Sequence, residues 1–289
     1  MRFAIQPTPQ LRTWEQIREF HLAADRFPII ESVWSADHFE PSGFAADGTP
    51  IGFDGPQLEA WTLTAAVAEA TTRVRLGPLV TCVAYRNPGL FANMVSMADI
   101  VSGGRIELGL GSGWNVDEAR RYGIELGAVS ERMDRFGEAL EILHSLFTQD
   151  RTDFDGRYFT LNGAHINPKP VQQPHPPFVI GGTGERRTIP LVAKWAQHWN
   201  VGPINREVFR AKRRLLDEEC EKIGRDARSI AVSCNVTLRP DSDLSVLADK
   251  AMSYEELGID LVIVMLADPV LTPAVVEPLA KALEVAAGQ

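Results

Sequence analysis

The sequence predicts a (β/α)8 barrel, and three observations carry that expectation. A strand-like apolar run followed by a helical segment recurs eight times along the 289 residues. The strand runs are nearly continuously apolar, as parallel strands covered on both faces should be. The length suits one large domain, read as residues 1–289. A doubly wound open sheet is the runner-up, and the count of units favours the barrel.

The elements follow in order. "RFAIQ" (Arg2–Gln6) reads as the first strand, and "TWEQIREFHLAADRF" as a helix capped by Thr13. "ESVWSA" is the second strand, followed by a loop over 39–56 and the helix "QLEAWTLTAAVAEA". "RVRLGPLVT" is the third, and its helix "PGLFANMVSMADIV" carries Pro88 in the first turn, where proline is tolerated. After the fourth strand, "RIELGLG", the helix "SERMDRFGEALEILHSLF" aligns Met133, Phe136, Leu140, Leu143 and Phe147 on one face, with Ser130 as N-cap. The alternation then breaks. Residues 151–177 hold a hairpin around Asp155-Gly156 and a proline-dense stretch that cannot be helical. "FVIGG", "HWNV", "SIAVSCNVTL" and "LVIVML" supply strands five to eight, each followed by a helical segment.

Composition narrows the function classes. A net charge of −9 without a Lys/Arg-rich run argues against nucleic acid and anionic membrane surfaces. The start "MRFAIQPTPQ" lacks an apolar core and a cleavage-like site, and Leu261–Leu266 is too short to span a bilayer. Cys82, Cys220 and Cys234 lack a CxxC spacing and read as reduced thiols, so a cytoplasmic protein is expected. No spacing of histidines and carboxylates suggests a metal.

In a (β/α)8 barrel, chemistry collects at the C-terminal ends of the strands. Strand two ends in Asp37-His38-Phe39. A histidine exchanges a proton near neutral pH, so His38 is a candidate acid or base, or else a simple strand cap. Asp37 reads as an acceptor for a ligand N–H or O–H, or for loop backbone. "GLGSGW" fails both G-x-G-x-x-G and G-x-S-x-G, because Trp114 stands where a glycine is needed. What remains is a bare loop that a flat ligand could approach through Ser112 and Gly113, with Trp114 available to stack. "IGGTGERRT" places Gly181, Gly182, Thr183 and Gly184 before a helix, with Arg186 and Arg187 expected in its first turn. Positive charge there is unfavourable unless an anion compensates, so this loop reads as a phosphate site. Pro78 denies an inner strand one backbone N–H and implies a bulge or kink.

In this order and spacing, "SVWSADHF", "RVRLGPLVTCVAYRNP", "VSGGRIELGLGSGW", "NPKPVQQPHPPFVIGGTGERRT" and "HWN" resemble the bacterial luciferase-like family. Within it they resemble the deazaflavin (coenzyme F-420)-dependent oxidoreductases, over almost the full length. The resemblance implies a (β/α)8 barrel with an insertion near strand five, in a homodimer. It implies a cofactor lying over a non-proline cis peptide, which maps to Leu79–Val80. Asp37 would contact the ring system and His38 would give or take the proton. Thr81 and Cys82 would line the ring, Ser112 and Gly113 would pass beside it, and Gly181, Gly182 and Gly184 would receive the phosphate. The implied activity is hydride transfer between coenzyme F-420 and a small organic substrate. The alternative is a monooxygenase using reduced FMN and O2, against which "ADHF" stands where those enzymes often carry E-H-H. Trp114 occupies the place of the catalytic glutamate of the family's sugar-phosphate dehydrogenases, so glucose 6-phosphate is not the expected substrate.

Overall fold

The computed structural model describes residues 1–7, 11–41, 54–239, 242–267 and 272–288. Of the 39–56 loop, residues 42–53 lie outside that set. Each of the first three strand–helix units is built from a short apolar strand and a capped helix. They are β1 (Arg2–Gln6) and α1 (Trp14–Asp25), β2 (Ile30–Ser35) and α2 (Ala60–Ala70), then β3 (Arg75–Pro78), β4 (Thr81–Cys82) and α3 (Pro88–Ser102). β5 (Leu108–Gly111) is followed by α4 (Val116–Arg121) and α5 (Val129–Thr148), and then by the hairpin β6 (Thr152–Asp155) and β7 (Thr160–Ala164). The chain continues through β8 (Phe178–Gly181), α6 (Thr188–Trp195), β9 (His198–Asn200), α7 (Arg206–Lys222), β10 (Ala231–Leu238), α8 (Val246–Glu255), β11 (Leu261–Leu266) and α9 (Val276–Ala286).

The strand order is β3-β2-β1-β11-β10-β9-β8-β5-β4, and every pairing in this nine-stranded sheet is parallel. First strand pairs with last, from Arg2↔Leu261 to Gln6↔Met265. β3 and β4 are two segments of one barrel position, which leaves eight positions from the nine strands. A parallel bridge, Leu76↔Ile106, joins β3 to the segment leading into β5 and completes the circuit. The expected (β/α)8 barrel is the fold, and the β6–β7 hairpin interrupts it just before the fifth position.

Two layers of core hold it. Outside the barrel, helix faces pack on the strands, with Phe20, Trp61, Phe136, Leu140, Leu143 and Leu216 all buried. Inside, Ala4, Trp34, Val179, Leu261 and Ile263 form a separate cluster against which Leu79 packs. The Thr13 cap is present as a reciprocal pair with Gln16, and Pro88 sits in the first turn of α3.

The irregularity expected at Pro78 is a break in strand three, and the Leu79 N–H donates to the Ser35 carbonyl at 2.7 Å. The peptide between Leu79 and Val80 is cis, at the position the resemblance implied. Ser130 is not the N-cap of its helix; α5 starts at Val129, and the Glu131 carboxylate accepts the Ala128 N–H at 2.9 Å. The short helix α4 was not anticipated. Asn115 caps it by accepting the Glu118 N–H at 3.2 Å. Among the described residues, no helix is long and apolar enough to cross a membrane.

Candidate active site

β2 stops at Ser35, and Asp37 and His38 follow on the C-terminal rim of the barrel. They line a cavity of about 380 Å³, within the range of small-molecule sites. The break in strand three contributes Leu79, Val80, Thr81 and Cys82, and the β5 end contributes Ser112, Gly113 and Trp114. Gly181 and Gly182 close the far side, at the end of β8. The structure thus gathers most of the residues singled out in the sequence around one cavity. Thr183, Gly184 and Arg186 do not line it.

The glycines explain how strand three fits. A side chain at Gly109 would collide with the Pro78 carbonyl, and a Cβ at Gly111 would lie 2.6 Å from Val80 Cγ2. Bare backbone in β5 therefore makes room for the bulge, which carries Val80 between β5 and Gly181. Gly113 has a φ of +83°, and a Cβ there would meet the Cys82 sulfur at 2.5 Å. Burial pushes the Cys82 thiol up to about 12, so it stays protonated and serves as wall.

His38 is held by a residue that lies 80 positions away in the chain. Its Nδ1 is 2.8 Å from Glu118 Oε2. The Tyr85 hydroxyl donates to the same oxygen at 3.0 Å, and the Phe39 N–H donates to Oε1 at 2.6 Å. Burial disfavours the charged form of Glu118, but the bonds from His38, Phe39 and Tyr85 prevail and hold its carboxyl below the usual range. An ionised carboxylate only accepts, so this contact is satisfied by an imidazole that carries its proton on Nδ1. Nε2 has no hydrogen-bond partner among the described residues. Trp114, largely exposed, sets its ring edge-on to His38 with centroids 5.6 Å apart. Burial, together with Cys82 and Glu118, pushes the Tyr85 hydroxyl up, so it remains a donor.

Asp37 accepts from both the side chains and the backbone around it. Arg86 grips it with two parallel bonds, Nη1 to Oδ2 at 2.7 Å and Nη2 to Oδ1 at 2.8 Å. The Cys82 N–H adds a third at 3.1 Å, and Arg86 Nη2 also bonds Glu59. Burial pushes the Asp37 carboxyl up against the pull of Arg86. Its oxygens tie strand two to strand three, so Asp37 reaches the cavity as part of the wall. The Thr81 hydroxyl is likewise committed, accepting Trp61 Nε1–H at 2.9 Å.

The glycine loop after β8 is also corrected. α6 begins at Thr188, so Arg186 and Arg187 precede the first turn. Arg187 is compensated within the protein, by Asp134 and by the Ser130 carbonyl. The Gly182 N–H donates to the Asn200 carbonyl at 2.9 Å and is not available to an anion. The N–H groups of Thr183, Gly184 and Glu185 have no backbone acceptor among the described residues.

Arg86, Glu118 and Tyr85 are the residues that sequence reading missed. Arg86 follows strand three after the short turn Val83–Tyr85, where a charged residue after an apolar run is a usable signal. Asn115-x-x-Glu118 has the spacing of a helix start, a signal that was not used and that says nothing of His38.

Comparisons with known proteins come to the same place. An uncharacterized protein of Mycobacterium tuberculosis is 29% identical over 202 residues, covering 70% of this chain and 67% of that protein. An F420-dependent glucose-6-phosphate dehydrogenase of Gordonia bronchialis is 30% identical over 241 residues, 80% of this chain and 67% of that one. Among solved structures, an F420-dependent secondary alcohol dehydrogenase in complex with an F420–acetone adduct superposes with a TM-score of 0.82 at 17% identity, covering 98% of each chain. Residues 2–287 match the model of the luciferase-like monooxygenases, and the chain belongs to that family of oxidoreductases.

Proposed function

We propose that the protein is a coenzyme F-420-dependent oxidoreductase that moves a hydride between the cofactor and a small organic substrate, with His38 giving or taking the accompanying proton. The observation that carries this reading is the His38 ring, bound through Nδ1 to a buried carboxylate while it lines the cavity. The sequence similarity to F420-dependent dehydrogenases supports the choice of cofactor.

The residues present fit such a group. The bare backbone of Gly113 and Gly182 in the cavity wall lets a ring approach closely, and Leu79 and Val80 offer it apolar backing. The N–H groups of Thr183, Gly184 and Glu185, with Arg186 beside them, suit the phosphate. The deazaflavin, when bound, supplies or accepts two electrons as a hydride. The chain's task is alignment and proton transfer. Neutral His38 takes at Nε2 the proton that a substrate sheds on oxidation, and the imidazolium returns it in the reverse direction. Asp37 and Arg86 keep strands two and three in register beneath the site. Trp114 stands beside His38, in the place of the catalytic glutamate of the family's sugar-phosphate dehydrogenases, and a substrate other than glucose 6-phosphate is the corresponding reading. Homodimeric assembly and a cytoplasmic location rest on the family resemblance and on the reduced-thiol composition.

His38→Ala should lower turnover by ~10²–10⁴ and leave cofactor affinity nearly unchanged. Unchanged turnover would remove His38 from the mechanism. The second reading, an FMN-dependent monooxygenase, is favoured by the family's description. Fluorescence titration with both cofactors separates the two, and tight FMN binding without F-420 binding would overturn the proposal.

A further inference from the structure

We propose that Glu118 is a positioning residue that fixes His38 in the Nδ1–H tautomer and so makes Nε2 the atom that accepts the proton. The inference deepens the reading of His38 given above and rests on it for its catalytic consequence, though not for its test. It starts from the occupancy of the Glu118 carboxylate. Oε1 takes the main-chain N–H groups of Phe39 and Glu40, at 2.6 and 3.4 Å. Oε2 takes the Tyr85 hydroxyl and His38 Nδ1, at 3.0 and 2.8 Å. A carboxylate offers about four acceptor sites, and all are used by donors. The residue is buried, with no exposed surface, so the arrangement is not diluted by solvent.

The other charged groups near His38 are already balanced. Arg86 is shared by Asp37 and Glu59, and Arg121 is paired with Glu40. Trp114 meets the imidazole through its ring and Cys82 remains a neutral thiol. Glu118 is therefore the group that decides which ring nitrogen carries the proton.

The two ends of the carboxylate differ in a way that makes the proposal sharp. Main-chain N–H groups can only donate, whereas a hydroxyl and an imidazole nitrogen can reverse their roles. In Glu118→Gln, the amide oxygen must face Phe39 and Glu40, which turns the amide NH2 toward Tyr85 and His38. His38 Nδ1 then becomes an acceptor, and the ring proton moves to Nε2. The substitution keeps size and shape while inverting the tautomer.

Nitrogen-15 NMR of histidine-labelled protein without cofactor, at a pH where the ring is neutral, reads this directly. The protein has six histidines, and the signals lost in His38→Asn identify the right one. The expected wild-type spectrum shows a protonated Nδ1 and a bare Nε2, and Glu118→Gln shows the reverse. Tyr85→Phe should keep the wild-type tautomer, because the carboxylate is still there to accept. A protonated Nε2 in the wild type overturns the proposal without any variant, so the test survives if Glu118→Gln does not fold. An uninverted tautomer in Glu118→Gln, or an inverted one in Tyr85→Phe, also overturns it. Turnover of Glu118→Gln should fall ~10–100-fold. An inverted tautomer with turnover unchanged would uphold the positioning role and count instead against His38 as the proton carrier.

Discussion

Arg86 shows at the residue scale how much of the site is framework. Its guanidinium forks onto Asp37 and reaches Glu59, and both Asp37 and Arg86 are nearly buried. Removing one partner of such a pair leaves an uncompensated charge in the interior, which costs about 3–5 kcal/mol. Arg86→Met should therefore lower the unfolding free energy by that order in urea titration. Adding Asp37→Asn should recover part of the loss, because the stranded charge is gone; no recovery would mean that Arg86 acts through packing. The pair Asp37-His38 was legible in the sequence, since a strand ending in two titratable groups is unusual. Their partners were not. Arg86 and Glu118 lie 49 and 80 positions from the residues they hold, and only closure of the barrel brings them together. The arginine on Asp37 was hidden for the same reason: nothing local announces a bidentate partner.

At the scale of elements, strand three and its neighbour β5 form one device. Pro78 ends the ladder, the chain steps across Leu79–Val80, and pairing resumes at Thr81↔Leu110 and Cys82↔Gly111. The step needs bare backbone opposite it, which Gly109 and Gly111 provide. Gly109→Ala should cost about 1–3 kcal/mol, because its methyl meets a main-chain carbonyl that cannot rotate away. Gly137 is the matched control. It lies inside α5, and a Cβ there would touch only Leu191 at an ordinary 3.8 Å. Gly137→Ala should stabilise by about 0.5–1 kcal/mol. Thermal unfolding of the two variants would show opposite shifts, and an unchanged or higher Tm for Gly109→Ala would refute the assignment of Gly109 as a close-approach position. Pro78 was readable as an anomaly from sequence. The need for Gly109 was not, because it depends on which strand lies opposite. Helix phases and the Thr13 cap were readable because they are local. Ser130 was misassigned because Glu131 satisfies the preceding N–H from within the first turn.

For the whole molecule, the apolar interior sets the response to acid. The barrel was legible because counting units and noting apolar strands requires no long-range information, whereas burial of individual histidines does. His21 lies on the buried face of α1 with Nδ1 on the Ile17 carbonyl at 2.7 Å, and His198 lies inside the barrel against Trp34 and Ser233. Burial pushes His21 down from 6.5 to about 4. Burial, with the nearby Arg2, pushes His198 down to about 3. Above pH 6.5 both histidines are neutral in native and unfolded chains, and their effect on stability is constant. Below it the unfolded chain binds protons that the native chain refuses, so stability falls until the pH reaches the folded values. Each histidine then removes up to about 1.4 kcal/mol per pH unit, or about 2 kcal/mol between pH 7.5 and 5. Asp37 and Glu107 act in the opposite sense, because burial raises both carboxyls and the native state gains protons as the pH falls. The total slope therefore mixes both signs, and a variant is needed to isolate one group. Urea unfolding of wild type and His198→Asn at pH 7.5 and 5 provides the comparison. The variant should lose about 2 kcal/mol less than wild type over that interval, whatever its stability at neutral pH. Equal losses would mean that His198 takes up its proton inside the folded barrel.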